Sequence, residues 1–446
     1  MEKTAKSRLN FSFIRNYRYR INSGFMLMAL VVLALGIANS PLGDEYAALW
    51  NHEVKLQIGD FNLFSHNGHA MTLMSFINDA LMTIFFFSVG LEIKRESLVG
   101  DLSSFRQALL PVVAACGGMI VPVIIYYMMA KGTPGEPGLA IPMATDIAFS
   151  LGVLSLFGKR VPMSLKIFLT AFAVVDDIGG ILVIALFYTS EMHLAYLFYS
   201  LFVLLILLAG NKMNIYNRWF YLLVGVVLWY LFLQSGIHAT IAGVIVALTI
   251  PARPDYHIGK YINYIKENAD EFPHEDQESI VLTKRQIDSL KRIETASDRV
   301  ISPLQSLEDD LHGLVNFFVI PVFAFANAGV VLTSASGGLE VGLVTYAVML
   351  GLVLGKFSGI YLFTWMLIRS GLVKLGQGMT WKNLTGVCML GGVGFTVALF
   401  IANLSFGNDN VLLSQAKLGV LGGSLVSGIL GYIILTVTLD KEEVEA

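Results

Sequence analysis

The chain has 446 residues, of which 55% are hydrophobic and only 14% charged, and its mean hydropathy is +0.67. Ordinary soluble domains carry about 25% charged residues, so the composition excludes a soluble globular protein and points to an integral membrane protein. The net charge of −3 says little as a total, and the two cysteines, Cys116 and Cys388, lie inside apolar runs, which argues against a disulfide framework or a zinc site.

Residues 1–20 form a polar, basic arm. The apolar run Ile21 to Asn39 follows it, with no small-residue cleavage pattern after it, and reads as a first membrane helix rather than a removed signal peptide. A spanning helix needs about 20 apolar residues. That ruler predicts an all-α membrane protein with twelve transmembrane helices, near 21–40, 71–92, 105–130, 139–157, 162–188, 193–210, 217–234, 238–250, 313–334, 339–368, 383–404 and 410–438. Eight spans fill 21–250, a cytoplasmic loop covers 251–312, four spans fill 313–438, and 439–446 is a tail. The spans near 139–157 and 238–250 are short.

Basic residues concentrate on the cytoplasmic side of inner-membrane proteins. With twelve spans, every Lys and Arg falls on one side except Lys55, Lys131, Lys356 and Lys417. This partition predicts a multi-pass protein of the bacterial inner membrane, in contact with lipid, with both termini cytoplasmic. Between the first two spans, within about residues 50–66, Val54–Ile58 and Phe61–Phe64 flank Gly59-Asp60. This is either a small periplasmic β-hairpin or a solvated loop. The loop 251–312 carries both charge signs, with a surface helix expected near Leu282 to Ile293, and no basic patch with interleaved aromatics suggests nucleic acid.

Charged groups inside a span cost several kcal/mol and are functional candidates by default. Here they are Asp79, Asp146, Asp176, Asp177 and Lys356. Asp176 and Asp177 are adjacent, so on a helix they point about 100° apart, and one can face a cavity while the other faces a neighbouring helix. Asp146 lies in a short span with Pro142 before it and Gly152 after it, and Thr145 beside it. A second interruption, Gly391-Gly-Val-Gly394, precedes Thr396. Paired interruptions mark a midplane ion site in transporters, although glycines also serve close helix packing. Lys356 is a cation deep in a long apolar run. It needs a partner, for which one of the paired aspartates is the natural choice, or it snorkels. Glu92, Arg95, Glu96, Glu308 and His312 gather at predicted cytoplasmic helix ends. Such a cluster fits a pH sensor or a cation funnel, and equally ordinary interfacial charge.

These residues resemble the NhaA family of sodium/proton antiporters. The resemblance is carried by Phe76–Asp79, Val89–Glu96, Ala144–Leu154, Val174–Gly179, Pro321–Gly329, Leu354–Lys356 and Gly392–Thr396. It implies a fold in which the 105–188 and 339–438 bundles are inverted-topology repeats and two interrupted helices cross at the midplane. It implies that Asp176 and Asp177 form the Na+ (or Li+) and proton site, with Asp146 beside it and Lys356 paired to Asp176. It also implies a pH-response region at Glu92, Arg95, Glu96, Glu308 and His312, with His238 linked to it, and a homodimer through the 54–64 hairpin. No cofactor is implied beyond the transported ions. The loop 251–306 looks longer and more acidic than the family's, and Gln305 and Ser306 stand where basic residues are expected.

The expected activity is electrogenic, pH-regulated exchange of Na+ for H+, driven by the proton gradient, since no phosphate-binding Gly-x-x-x-x-Gly-Lys-Ser/Thr motif appears. Hard cations prefer the oxygen ligands that aspartates, Thr145, Thr396 and free carbonyls supply, with Asp79 an accessory. A sodium-coupled symporter of a small organic solute is the alternative within transport. An intramembrane aspartyl protease fits poorly, because Gly392-Val-Gly is followed by Phe395 rather than Asp and the paired aspartates share one helix. A channel would want a repeated filter-like segment. No enzyme activity is therefore expected.

Overall fold

The structure, a computed structural model, describes residues 23–55, 57–58, 61–62, 64–66, 69–100, 102–188, 192–253, 258–272, 281–332, 341–407 and 409–439. The N-terminal arm, residues 440–446 of the C-terminal tail and Gly59-Asp60 lie outside them. Among the described residues, nine helices are long and apolar enough to cross a membrane, and eleven if each of two bent pairs counts as one span. Their outer surfaces are strongly apolar. Phe198, Leu201, Phe202 and Leu205 on the Leu194–Lys212 helix, and Leu425, Ile429 and Ile433 on Asn410–Thr438, are all exposed. Apolar exposure on this scale is tolerated against lipid and not against water.

The boundaries differ from the hydropathy reading where charge and turn chemistry intervene. The first span is the helix Ser23–Ala38, which turns by 113° through Ser40-Pro41 into Gly43–Trp50, a second helix that the apolar ruler did not separate. The predicted span at 313 starts ten residues earlier, as the helix Pro303–Leu314. Ser302 caps its first turn by accepting from the Gln305 N–H (3.2 Å), with Pro303 at the position where a proline needs no donor. Glu308, Asp309 and Asp310 in that stretch hid it from a hydropathy window. Ala239–Thr249, only 11 residues, is apolar but short of a full crossing. Its C-terminal carbonyls are held by side chains. The Lys94 ammonium donates to the Leu248 (2.7 Å) and Ile250 carbonyls, and Asn211 Nδ2 donates to Thr249 O (2.6 Å). A cation there also opposes the negative end of the helix dipole.

Ile58 pairs with Phe61 and Gln57 with Asn62 in a two-residue antiparallel ladder, and Ser65–His66 pairs with His69–Ala70 in a second. The 251–312 segment holds two helices packed together, Ile258–Asp270 and Lys284–Val300, the second with a Thr283/Gln286 capping box. The Leu304 N–H donates to Pro251 O (3.3 Å), so this excursion leaves and returns at one point.

Among the described residues, three spans contain a π-helical turn: Ile77–Leu81 within Leu73–Val99, Val315–Val319 within Pro303–Ala328, and Gly351–Gly355 within Leu343–Arg369. π turns are rare and frequent at functional sites. The first contains Asp79, and the third ends at Lys356. Phe105–Ala130 and Leu343–Arg369 meet backbone to backbone at Gly117 and Gly359, where a Cβ on either would strike the other's carbonyl. Further along, a Cβ at Gly355 would come within 2.7 Å of Pro122 Cα. Small residues thus let these two helices approach closely on either side of the position from which Lys356 projects.

Candidate functional site

The two sequence interruptions are unwound and they touch. After the 3-10 helix Glu136–Met143, residues Ala144 to Asp146 are extended, and Ile147–Ser155 resumes as an α-helix. Trp381–Leu390 stops at Gly391, and Phe395–Phe406 resumes beyond Gly394, bent by 40°. The breaks exchange hydrogen bonds. Thr145 Oγ1 donates to Gly391 O (2.9 Å), the Asp146 N–H donates to Val393 O (2.6 Å), and Ser150 Oγ donates to Leu390 O (2.9 Å). Ser424 Oγ accepts from the Gly394 N–H (3.2 Å). Carbonyls left over at the end of a helix are thereby satisfied without water.

Asp146 is a strut in this junction. Its Oδ1 accepts from the Phe149 N–H (3.0 Å), which caps its own helix, and its Oδ2 accepts from both the N–H (3.1 Å) and the hydroxyl (2.8 Å) of Thr396. One carboxylate therefore sits at the N-terminal starts of two half-helices, where partial positive charge concentrates. Both its oxygens are engaged and the residue is 2% exposed.

Asp176 and Asp177 lie in the middle of Met163–Phe187, buried. Asp176 Oδ2 accepts from Lys356 Nζ at 2.6 Å, and neither side chain has any solvent exposure. The ammonium also stands 5.5 Å over the Phe172 ring, a second favourable contact for a cation. Asp176 Oδ1 and Asp177 Oδ2 are buried without a hydrogen-bond partner. Asp177 lies within electrostatic reach of the like charges of Asp176, Glu92 and Asp146 and of the opposite charge of Lys356. One turn on, Gly180 is buried, yet a Cβ there would meet nothing within 4 Å, so there is open space along this stretch of the helix. Unsatisfied buried oxygens beside open space are costly unless something positive occupies the place. Among the described residues, no group of three or more His, Cys, Asp and Glu is arranged to hold an ion.

The Glu92 cluster assembles in part. Arg95 Nε donates to Glu308 Oε1 (2.8 Å), and an Arg95 terminal nitrogen contacts Glu96 Oε1 (2.8 Å). Glu92 lies within electrostatic reach of all three, and His312, one turn past Glu308, pairs with Asn316 Nδ2 (3.1 Å). His238 is elsewhere. It bonds the Tyr188 carbonyl (2.5 Å) at the start of Ala239–Thr249, whereas Lys94, the neighbour of Arg95, holds the far end of that helix. Eleven helical residues separate the two by about 16 Å. The Asp79 carbonyl accepts from Thr83 Oγ1 (2.5 Å).

Sequence reasoning missed several polar side chains placed here. Ser150 and Ser424 brace the breaks. Asn78, Asn327 and Asn403 form a hydrogen-bonded chain across three helices. The signal was available, since each is a polar residue in an apolar run, but uncharged side chains occur in membrane helices too often to be read alone.

The family model for Na+/H+ antiporter 1 matches residues 15–435. The chain is 68% identical to the Na(+)/H(+) antiporter NhaA of Phocaeicola vulgatus, over 99% of each chain. It is 60% identical to the protein of that name from Bacteroides fragilis, over 94% of this chain and 96% of that one. It is 44% identical to the one from Porphyromonas gingivalis, over 95% of each.

Proposed function

The chain belongs to the Na+/H+ antiporter 1 family and exchanges Na+ for H+, and from that premise we propose that the exchange takes place at Asp176 and Asp177. The single observation that carries the assignment is that Asp176 Oδ1 and Asp177 Oδ2 are buried and unpartnered beside open space. A carboxylate removed from water holds its charge only with a positive partner. At Asp177 that partner is a proton or a Na+ ion, and one excludes the other. Alternate exposure of the site to the two sides of the membrane then exchanges them.

Asp146 and Thr396 serve as the strut that keeps the two unwound breaks together, and Thr145 holds the opposite strand of the junction. With both oxygens engaged, Asp146 acts on the cation through its field rather than as a ligand. Lys356 is the counter-charge of Asp176. A cation that takes over Asp176 displaces the ammonium from its partner and favours loss of the lysine proton. More than one proton then moves per cation, and exchange is electrogenic. The relatives named above are antiporters, so nothing supports the symporter reading.

Nine long spans and two bent pairs make up to eleven crossings, and the reading with both termini cytoplasmic in a bacterial inner membrane takes the short Ala239–Thr249 helix, completed by the chain on either side of it, as the twelfth. The bonded breaks favour inverted repeats that cross near the midplane. Glu92, Arg95, Glu96 and Glu308 form the cytoplasmic pH-response region, with His312 beside them and His238 acting from the far end of its helix. The Gln57–Asn62 ladder lies in the hairpin through which two copies pair. The testing experiment is proton flux in everted vesicles on adding Na+, Li+ or K+ across pH. Flux with Na+ and Li+ that vanishes in Asp177→Asn supports the site, and Na+ movement indifferent to that change refutes it.

A further inference from the structure

Asn403 Nδ2 donates to Asn327 Oδ1 at 2.8 Å, and Asn327 Nδ2 donates to Asn78 Oδ1 at 3.0 Å. The remaining amide hydrogens of the first two are spent on their own helices, Asn403 on Leu399 O (2.8 Å) and Asn327 on Phe323 O (3.1 Å). Asn327 is wholly buried, and all its donors and its acceptor are used. The surroundings are apolar. Phe323, Phe400 and Phe86 belong to the same core, with the Phe86 and Phe400 rings 5.7 Å apart.

The three amides belong to two parts of the protein. Asn78 sits in the π turn Ile77–Leu81 and Asn327 in Ile320–Ala328, both outside the 105–188 and 339–438 bundles. Asn403 belongs to Phe395–Phe406, the half-helix that begins beside Thr396 and its bond to Asp146. Seven residues, about 10 Å of helix, separate Thr396 from Asn403. The Asn403–Asn327 bond therefore fastens the helix that holds the ion-site strut to the part of the protein that carries none of Asp146, Asp176 and Asp177.

An apolar interface slides with little preference for position, whereas an amide pair inside it selects one register. We propose that Asn327 and Asn403 are positioning residues for the exchange: their bond latches the half-helix Phe395–Phe406 in the register seen here and must break when the site turns to the opposite side of the membrane. The proposal rests on exchange by alternate exposure, but not on which carboxylate binds the cation.

The test is the apparent KM for Na+ measured separately on the two faces, in right-side-out and everted vesicles. A bond made in one conformer biases the equilibrium toward it, so its loss moves the two values in opposite directions. For Asn403→Ala the face served by the other conformer should gain up to about fivefold in apparent affinity, the worth of one ordinary hydrogen bond. Asn78→Ala leaves the Asn403–Asn327 bond in place and should give no opposed shift. Should Asn403→Ala fail to fold, Asn403→Gln carries the same expectation. A merely structural role would lower the melting temperature and leave both KM values together, and that result overturns the latch. Equal opposed shifts from Asn78→Ala overturn it too. Because the ion-site assignment is read from loss of flux in Asp177→Asn and the latch from opposed KM shifts in Asn403→Ala, failure of the one stays distinguishable from failure of the other.

Discussion

Lys356 and Asp176 form an ion pair at 2.6 Å with neither side chain exposed to solvent. Removing one partner of such a pair leaves the other charge stranded, which typically destabilises by about 3–5 kcal/mol. Lys356→Ala should therefore lower the melting temperature of the purified protein markedly. The double variant Lys356→Ala/Asp176→Asn should recover part of that loss, because the stranded charge is gone. Equal melting of Lys356→Ala and the parent would remove the pair from the account.

Asp177 offers the opposite expectation. Its Oδ2 has no hydrogen-bond partner to lose, and three other carboxylates act on it. Asp177→Asn breaks no bond at that oxygen, so stability should hold while Na+-dependent proton flux disappears. Thermal melting and vesicle flux on the same preparation separate the two effects.

Thr396→Val deletes the 2.8 Å hydroxyl bond to Asp146 and keeps the 3.1 Å bond from the backbone N–H. A hydrogen bond to a charged group contributes about 1.5–3 kcal/mol. The variant should be destabilised within that range, and its maximal flux should fall as the junction loosens. Unaltered melting and flux would show that the backbone bond alone suffices.

Gly180 and Gly359 should respond in opposite ways. A Cβ at Gly359 would run into the Gly117 carbonyl, so Gly359→Ala forces two helix backbones apart and should destabilise the fold. A Cβ at Gly180 meets nothing, so Gly180→Ala should be tolerated. Gly180→Leu, which fills the space one turn from the aspartates, should cut flux at least tenfold without loss of stability. Full flux in that variant would mean that cations do not use this space.

Much of the site was legible because charge in a membrane span is conspicuous. Asp176, Asp177, Asp146 and Lys356 stood out from apolar surroundings; the need of Lys356 for a partner pointed to one of the two adjacent aspartates, and the choice of Asp176 came from the resemblance. Gly391 to Gly394 marked the second break for a backbone reason. The ruler failed where charge belongs to a helix that continues past the apolar core, as at Pro303–Leu314, and where Ser40-Pro41 turns the chain through a right angle. What Asp146 does with its oxygens was not legible. Its bonds to Thr396 join residues 250 apart in sequence, and no local pattern reports such a contact. His238 was grouped with Glu92 by resemblance, and only the fold shows that a whole helix lies between them.

The π turn Gly351–Gly355 takes one residue more to come round than an α turn would. Removing that one residue would let the turn close as an ordinary α turn and leave every later side chain near its present bearing about the axis. The ammonium of Lys356 would then still point at Asp176. The surplus residue is slack in the coil, so this stretch should tolerate the loss of one residue, whereas a deletion from a regular α turn of the same helix would swing its later side chains by about 100°.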